Sequence, residues 1–500
     1  MSSVPTNRNA GDPPVRRSAT ALRQRPGLAQ VVIDSTTIIY DARAQRSHQL
    51  NASAGLVWSM LSEGRSLESI QAELAGRFPA DIQDVQSDTE SVVGDLMDAD
   101  LVVTEGELRD GTDLPAGSLL SHESQPHETG SHVSQQHEAG SPASQPHDSG
   151  PHKTNSHVRE VQRSVADTSR EADLAATIEG RSGAVVDDVS RTPCFDALGF
   201  TFDVTGPAEV IAQLDTSLRT IESPLPAMHH YTIDDYQPAQ GQLDTVGSSD
   251  SGEGGTGEGG RDAVADQAEA PPPAEPAAEL VQVRLDDLDP MPASRSDVAS
   301  TVLRHANQRA CTDNSVALLM HASAISTPDG VVAFSGSMNA GKSTLVAGLL
   351  RRGHTYVTDE AVAIDLDDLS VAAYPKPIGI DTGSYDLFPE LAGSANPHST
   401  DRWWVSPLDI GAGAAVTNTS THPLRAIVFV SFAGDGSDHS EKLDPPDAVL
   451  EMTSNLFNLA EHGQAGLDAM ARIATTLPVY RLTHTGLDPA IEWIETTFTR

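Results

Sequence analysis

Residues 336–343 read Gly-Ser-Met-Asn-Ala-Gly-Lys-Ser, with Thr344 next. Glycines at both ends let consecutive backbone N–H groups turn toward phosphate oxygens, and a lysine followed by a hydroxyl residue adds a cation and an oxygen ligand. The pattern predicts that Gly336, Ser337, Met338, Asn339, Ala340, Gly341, Lys342, Ser343 and Thr344 surround the phosphates of ATP. Lys342 is expected on the β- and γ-phosphates and the Ser343 hydroxyl on Mg²⁺. Lysine is scarce here: only Lys153, Lys342, Lys376 and Lys442 occur, and one falls where the motif demands it.

Nucleotide chemistry also needs an acid at the end of a nearby strand, to hold the metal's water or activate a nucleophile. Asp359 and Glu360, after the run His354-Thr-Tyr-Val-Thr, are the first choice, and Asp365, after Val362-Ala-Ile364, the second. The later run Ile427–Val430 leads into Ser431 and offers no acid. The elements that would position these groups are legible. Val331–Phe334 reads as a buried strand and Ser343–Leu350 as a helix with one apolar face, whose N-terminus adds partial positive charge at the loop.

The surrounding text carries a family resemblance. His321 lies 15 residues before Gly336, Arg352-Gly353-His354 follows the loop helix, and Asp359 lies 17 residues after Lys342. This arrangement resembles the HPr kinase/phosphorylase family, P-loop serine kinases close in fold to phosphoenolpyruvate carboxykinase, most clearly over residues 280 to 400. The resemblance implies an α/β P-loop fold for the C-terminal region. It implies Asp359 as base toward an acceptor hydroxyl, Glu360 in place of the family's second Asp as a metal ligand, and His321 beside the transferred phosphate. A strand histidine satisfied in the core is the alternative for His321. The family's downstream signature, with its metal-binding Glu, is absent. That stretch reads Tyr374-Pro-Lys-Pro-Ile-Gly-Ile-Asp381, where Lys376 either meets phosphate or sits on an exposed turn between prolines. Phosphorylase activity and HPr as substrate are therefore not implied, and the chain is more similar to HPr-kinase-related proteins found beside peptide-modification genes. The related kinases are commonly hexamers, so a homo-oligomer belongs among the expectations.

Residues 29–105 read as a separate small α+β domain. Short β-like runs (Thr37 to Tyr40, Ser47 to Leu50) precede three helical stretches and a closing apolar run, Leu101-Val-Val103. Asn51 and Ser66 are expected at helix starts. Leu50-Asn-Ala-Ser-Ala-Gly-Leu-Val-Trp58, Glu63-Gly64 and the closing run resemble PqqD-type domains. The resemblance implies a winged-helix-like fold that takes the leader of a ribosomally made precursor peptide as an added strand. A winged-helix DNA binder is opposed by charge: 13 acids against four arginines give this segment a net charge of -9, a poor match for a phosphate backbone.

Between and around these domains the sequence loses periodicity. Residues 1–28 are expected as a disordered tail, 106–190 as a disordered linker, and about 238–278 as a disordered acidic insertion within a P-loop domain spanning 191–500. The linker holds a decapeptide repeated at 121–130, 131–140 and 141–150, which places His127, His137 and His147 in register; repeat expansion explains it better than metal capture. Phe195–Tyr236 is too short to fold alone and is expected to open the P-loop domain.

The formal charge of -39, from 71 acids against 32 bases, opposes partnership with nucleic acid or anionic lipid. An acidic, lysine-poor surface suits molar salt, and a GC-rich genome explains the arginine bias equally well. Cys194 and Cys311 match neither a zinc site nor a disulfide framework. No apolar run reaches membrane-spanning length and no signal segment is visible, so a cytoplasmic location is expected.

Three functions follow as expectations. The leading one is an ATP- and Mg²⁺-dependent kinase that phosphorylates a Ser or Thr hydroxyl on a peptide held by the N-terminal domain, the linker keeping the substrate at high effective concentration. The second is a nucleotide-gated peptide chaperone that presents its cargo to a partner modifying enzyme. The third is a small-molecule kinase or carboxykinase relative.

Overall fold

The computed structural model describes residues 22–78, 82–104, 158–162, 189–235, 280–286, 288–393, 402–411, 416, 420–434 and 436–499, with backbone alone for 158–162. The His127, His137 and His147 repeats and the acidic insertion lie outside them. The described residues divide into two compact units: the first holds 22–28, 34–39, 48–78, 82–104 and 158–160, and the second holds 29–33, 40–47 and the described residues from 161 onward.

In the N-terminal region, strands β1 (Leu22–Gln24), β2 (Leu28–Ile33), β3 (Thr36–Asp41) and β4 (Arg46–Leu50) lead into helices α1 (Ala52–Ser62), α2 (Leu67–Arg77) and α3 (Ile82–Asp98), and β5 (Val102–Thr104) closes it. Asn51 and Ser66 do start helices, because their side-chain oxygens accept the Ala54 and Ser69 N–H groups that would otherwise lack partners. The helices bury Val57, Trp58, Leu61, Ile70, Val92 and Leu96 in one core. Two boundaries differ from expectation. Strand β1, inside the stretch expected as a tail, pairs antiparallel with β5, and the Arg25 N–H bonds the Leu101 carbonyl. Strand β6 (Val158–Gln162), inside the expected linker, extends the sheet to the order β2-β3-β4-β6. Three- and five-residue strands carry too little periodicity to be read without their pairing partners.

The described residues from 189 onward form two large sheets and one two-stranded sheet. The first has the order β12-β11-β10-β9-β7, with β8 also on β9. It uses β7 (Val189–Arg191), β8 (Phe195–Ala197), β9 (Phe200–Pro207), β10 (His229–Asp235), β11 (Leu280–Leu285) and β12 (Met291–Ser294). Alternating Phe200, Phe202 and Val204 pack with Tyr231, Val281 and Val283 against α4 (Ala208–Leu218) and α5 (Val298–Asp313). The segment from Phe195 thus shares a core with residues beyond 280.

The second sheet carries the glycine loop. It joins β13 (Ala317–Thr327), β14 (Gly330–Ser335), β15 (Thr355–Asp365), β16 (Ser370–Ala372), β19 (Thr421–Phe432), β20 (His439–Lys442) and β21 (Val479–His484), while β17 (Ile378–Asp381) pairs separately with β18 (Arg402–Val405). Pairing runs β14-β13-β15-β16-β19 and returns from β19 to β14, so five strands close on themselves. The pairs β14–β19 and β19–β21 are parallel, and the other pairings of this sheet are antiparallel. Helix α6 (Lys342–Arg351) follows β14 and packs on α8 (Leu487–Phe498); α7 (Leu459–Thr476) precedes β21. Gly348 marks the α6–α8 contact, where a Cβ would stand 2.8 Å from Ile491 Cδ1. The whole is a mixed α/β structure: strands then helices in the N-terminal region, and sheets with flanking helices in the C-terminal unit.

Candidate functional site

Residues 336–341 connect fully buried β14 to α6. Gly336 has φ 147°, and a Cβ there would lie 2.4 Å from the Val430 carbonyl oxygen, so the loop leaves the sheet where only glycine fits. Asn339 and Gly341 also take positive φ, 63° and 86°. The crest Ser337–Asn339 is exposed, whereas Ala340 and Lys342 are buried. The Lys342 ammonium turns back into the loop and donates to the carbonyls of Gly336, at 2.8 Å, and Ser337, at 3.0 Å. Burial pulls its pKa below the ordinary lysine value, against the opposing pull of Asp359 and Glu360. The Thr344 hydroxyl pairs with that of Ser384 at 2.8 Å.

Asp359 lies in the middle of β15, since the runs on either side of it form one continuous strand. Its side chain is 6 % exposed. One carboxylate oxygen accepts from the Ser343 hydroxyl at 2.9 Å and the Ser323 hydroxyl at 2.6 Å, and the other from the Gly379 N–H at 3.3 Å. The loop serine and the acid 16 residues later are thus in direct contact.

Neighbouring side chains on a strand point to opposite faces. Glu360 breaks that alternation with φ 115°, a conformation that costs a non-glycine residue on the order of 1–3 kcal/mol and persists only where surroundings enforce it. The enforcing partners are Asn307, whose Nδ2 donates to Glu360 Oε2 at 2.9 Å, and Lys376, whose Nζ stands 3.2 Å from the same oxygen and 4.0 Å from Asp359 Oδ2. Asn307 is itself held by the Tyr374 hydroxyl. Lys376 is 1 % exposed, which corrects the exposed-turn reading of its two flanking prolines. Asp381 stands apart from this cluster, paired to Arg402 at 2.7 Å, and Asp365 lies at the far end of β15.

His321 is on β13, opposite Ala361 of β15, with its ring edge-on to Phe457. Its Nδ1 is buried without a hydrogen-bond partner. Burial first, and the Lys342 charge second, pull its pKa down to about 4, so the ring is neutral at physiological pH. The two carboxylates of β15 act in the opposite direction.

Ser343 and Asp359 supply hard oxygen donors of the kind Mg²⁺ takes. Among the described residues no group of three His, Cys, Asp or Glu converges as a metal cage. Sequence reasoning missed Ser323, Asn307 and His484. The last is 5 % exposed, with its ring 3.9 Å from where a Gly341 Cβ would stand. Nothing in spacing marks these three; tertiary pairing alone brings them in.

Residues 36–102 match the family model described as "Coenzyme PQQ synthesis protein D (PqqD)". The chain is similar to the solved structure "TbiB1 in Complex with the TbiA(beta) Leader Peptide", at 21 % identity over 17 % of this chain and 95 % of that one, with a TM-score of 0.16. It is also similar to the HPr(Ser) kinase/phosphatase from Coxiella burnetii, at 17 % identity over 36 % of this chain and 86 % of that one, with a TM-score of 0.20. No curated protein matches the chain. Among the described residues no helix is long and apolar enough to cross a membrane.

Proposed function

We propose that the chain is an ATP- and Mg²⁺-dependent phosphotransferase acting on a Ser or Thr hydroxyl of a peptide bound by its PqqD-like region. The observation that carries this reading is the 2.9 Å bond between Ser343 and Asp359, which joins a phosphate-binding loop to a buried carboxylate. In this reading the loop N–H groups and Lys342 hold the phosphates, with Lys342 exchanging its two loop carbonyls for phosphate oxygens. Ser343 would hold Mg²⁺, which when bound offsets charge on the β- and γ-phosphates. Asp359 takes the proton from the acceptor hydroxyl. The hydroxyl oxygen bonds to the γ-phosphorus, the bond to the β–γ bridging oxygen breaks, and ADP leaves. Neutral His321 adds no charge beside the transferred group.

The peptide half rests on the PqqD match and on the leader peptide named in the TbiB1 complex. The test is transfer of labelled γ-phosphate to a precursor peptide, with and without its leader. Equal labelling by wild type and Lys342→Ala would sink the kinase reading.

One observation favours a second reading. The cluster contains a buried lysine at 376 in the stretch where the resembled kinases have a metal-binding Glu, which suits a protein that binds nucleotide as a switch and hands peptide to a modifying enzyme. Normal delivery by an Asp359→Asn variant that still binds ATP would select this alternative.

A further inference from the structure

Four ionisable groups converge beneath the glycine loop: Asp359, Glu360, Lys342 and Lys376. Their formal charges cancel. Lys376 is the most enclosed of them. Its ammonium sits 3.2 Å from Glu360 and 4.0 Å from Asp359, donates to the Pro377 carbonyl at 3.1 Å, and lies 5.0 Å from the Trp404 ring centroid. The backbone on both sides is tied down. The Lys376 N–H donates to the Tyr374 carbonyl at 2.9 Å, the Tyr356 hydroxyl donates to the Lys376 carbonyl at 2.8 Å, and Pro375 and Pro377 restrict rotation. A long side chain so held cannot swing out to solvent. It is a fixed positive charge between two carboxylates.

We infer that Lys376 is a cation built into the site, occupying the position a second divalent ion would take beside Asp359 and Glu360, so that the protein binds its nucleotide with one metal ion only. Three features of the chain carry this. The positive φ of Glu360 brings its carboxylate onto the lysine, Asn307 holds it there, and the ammonium already sits against the oxygens a second ion would need. A divalent ion placed on those oxygens would meet the Lys376 ammonium at contact distance. Glu360 is then a positioning residue that anchors Lys376, leaving Ser343 to hold the one ion and Asp359 to serve as the base. The inference rests on the magnesium–nucleotide reading proposed above.

The experiment counts Mn²⁺ bound to the full chain by electron paramagnetic resonance, with and without a non-hydrolysable ATP analogue. The nucleotide-dependent difference removes ions held elsewhere on this acidic protein. The expected result is one nucleotide-dependent Mn²⁺ for wild type and for Lys376→Arg, and two for Lys376→Ala. Two nucleotide-dependent ions in wild type, or only one in a Lys376→Ala variant that still binds the analogue, overturns the inference alone. No nucleotide-dependent ion in wild type overturns the nucleotide reading and this inference with it. The wild-type count decides the matter even if Lys376→Ala does not fold.

Discussion

Asp359→Asn separates binding from chemistry most sharply. The native carboxylate accepts three hydrogen bonds, two from hydroxyls on one oxygen and one from the Gly379 N–H on the other, with Lys376 at 4.0 Å. An asparagine has one acceptor oxygen. Placed toward Gly379 and Lys376, it turns its NH₂ to Ser323 and Ser343, whose hydroxyls rotate to accept. The fold survives, but Lys376 keeps only Glu360 as counter-charge. Hydrogen bonds to a charged group contribute about 1.5–3 kcal/mol each, and most are replaced by neutral ones rather than lost, so the net cost is about 2 kcal/mol. The proton acceptor of the proposed transfer disappears altogether. Losing a general base costs about 10²–10⁴-fold, so phosphoryl transfer is expected to fall at least ~100-fold. ATP affinity should stay within about tenfold, because the loop and Lys342 are untouched. Urea denaturation, nucleotide titration and single-turnover transfer measure the three quantities on one preparation. Transfer by Asp359→Asn within about tenfold of wild type, against a dead Lys342→Ala control, would refute Asp359 as the base.

Other perturbations test separate parts of the structure. Gly336→Ala forces a Cβ to 2.4 Å from the Val430 carbonyl at φ 147°, and should cost more than about 2 kcal/mol and abolish nucleotide binding, seen as a lowered Tm that ATP no longer raises. His321 has a folded pKa of about 4 against 6.5 unfolded, so on acidification the unfolded chain takes up the proton first. It should therefore cost stability progressively from about pH 6.5 down to pH 4, about 3 kcal/mol in all, and nothing above that window; His321→Phe should flatten the stability slope there, read by urea titrations at several pH values. Trp58→Ala empties a core site only 3 % exposed and should cost the N-terminal region about 3–5 kcal/mol; hydrogen exchange should show lost protection across residues 36–102 with the C-terminal unit unchanged.

What could be read in advance follows the range of the interactions. Helix starts at Asn51 and Ser66, the strand before the glycine loop and the helix after it are set by neighbours within a few residues. The contact between Ser343 and Asp359 was accessible through spacing, because the helix after the loop carries the chain back to a strand on the other side of the loop strand's partner β13. Lys376 was visible as a residue but not as a buried one: two flanking prolines suggest a surface turn, and only the pairing of Tyr374 with Val357, together with Trp404 from a distant strand, encloses it. Ser323 and Asn307 carry no local signal, since a hydroxyl on a strand and an amide on a helix gain meaning only from what faces them. Strand β1 was missed for the same reason, its partner being about 80 residues away.

The ring of strands β14-β13-β15-β16-β19 has a mechanical consequence. A sheet with free edges can shear one strand past the next, but a closed circuit resists that slip because every register is fixed from two sides. The strand that launches the glycine loop and the strand that bears Asp359 are both members of that circuit, each bonded to β13. Their separation therefore behaves as a rigid calliper, set at folding rather than at each turnover. In the proposed phosphotransferase, motion falls to parts outside the ring, the exposed crest Ser337–Asn339 and the Lys342 side chain, which would have to leave its own loop. The pace of the cycle is expected to be kept by that small local unlocking.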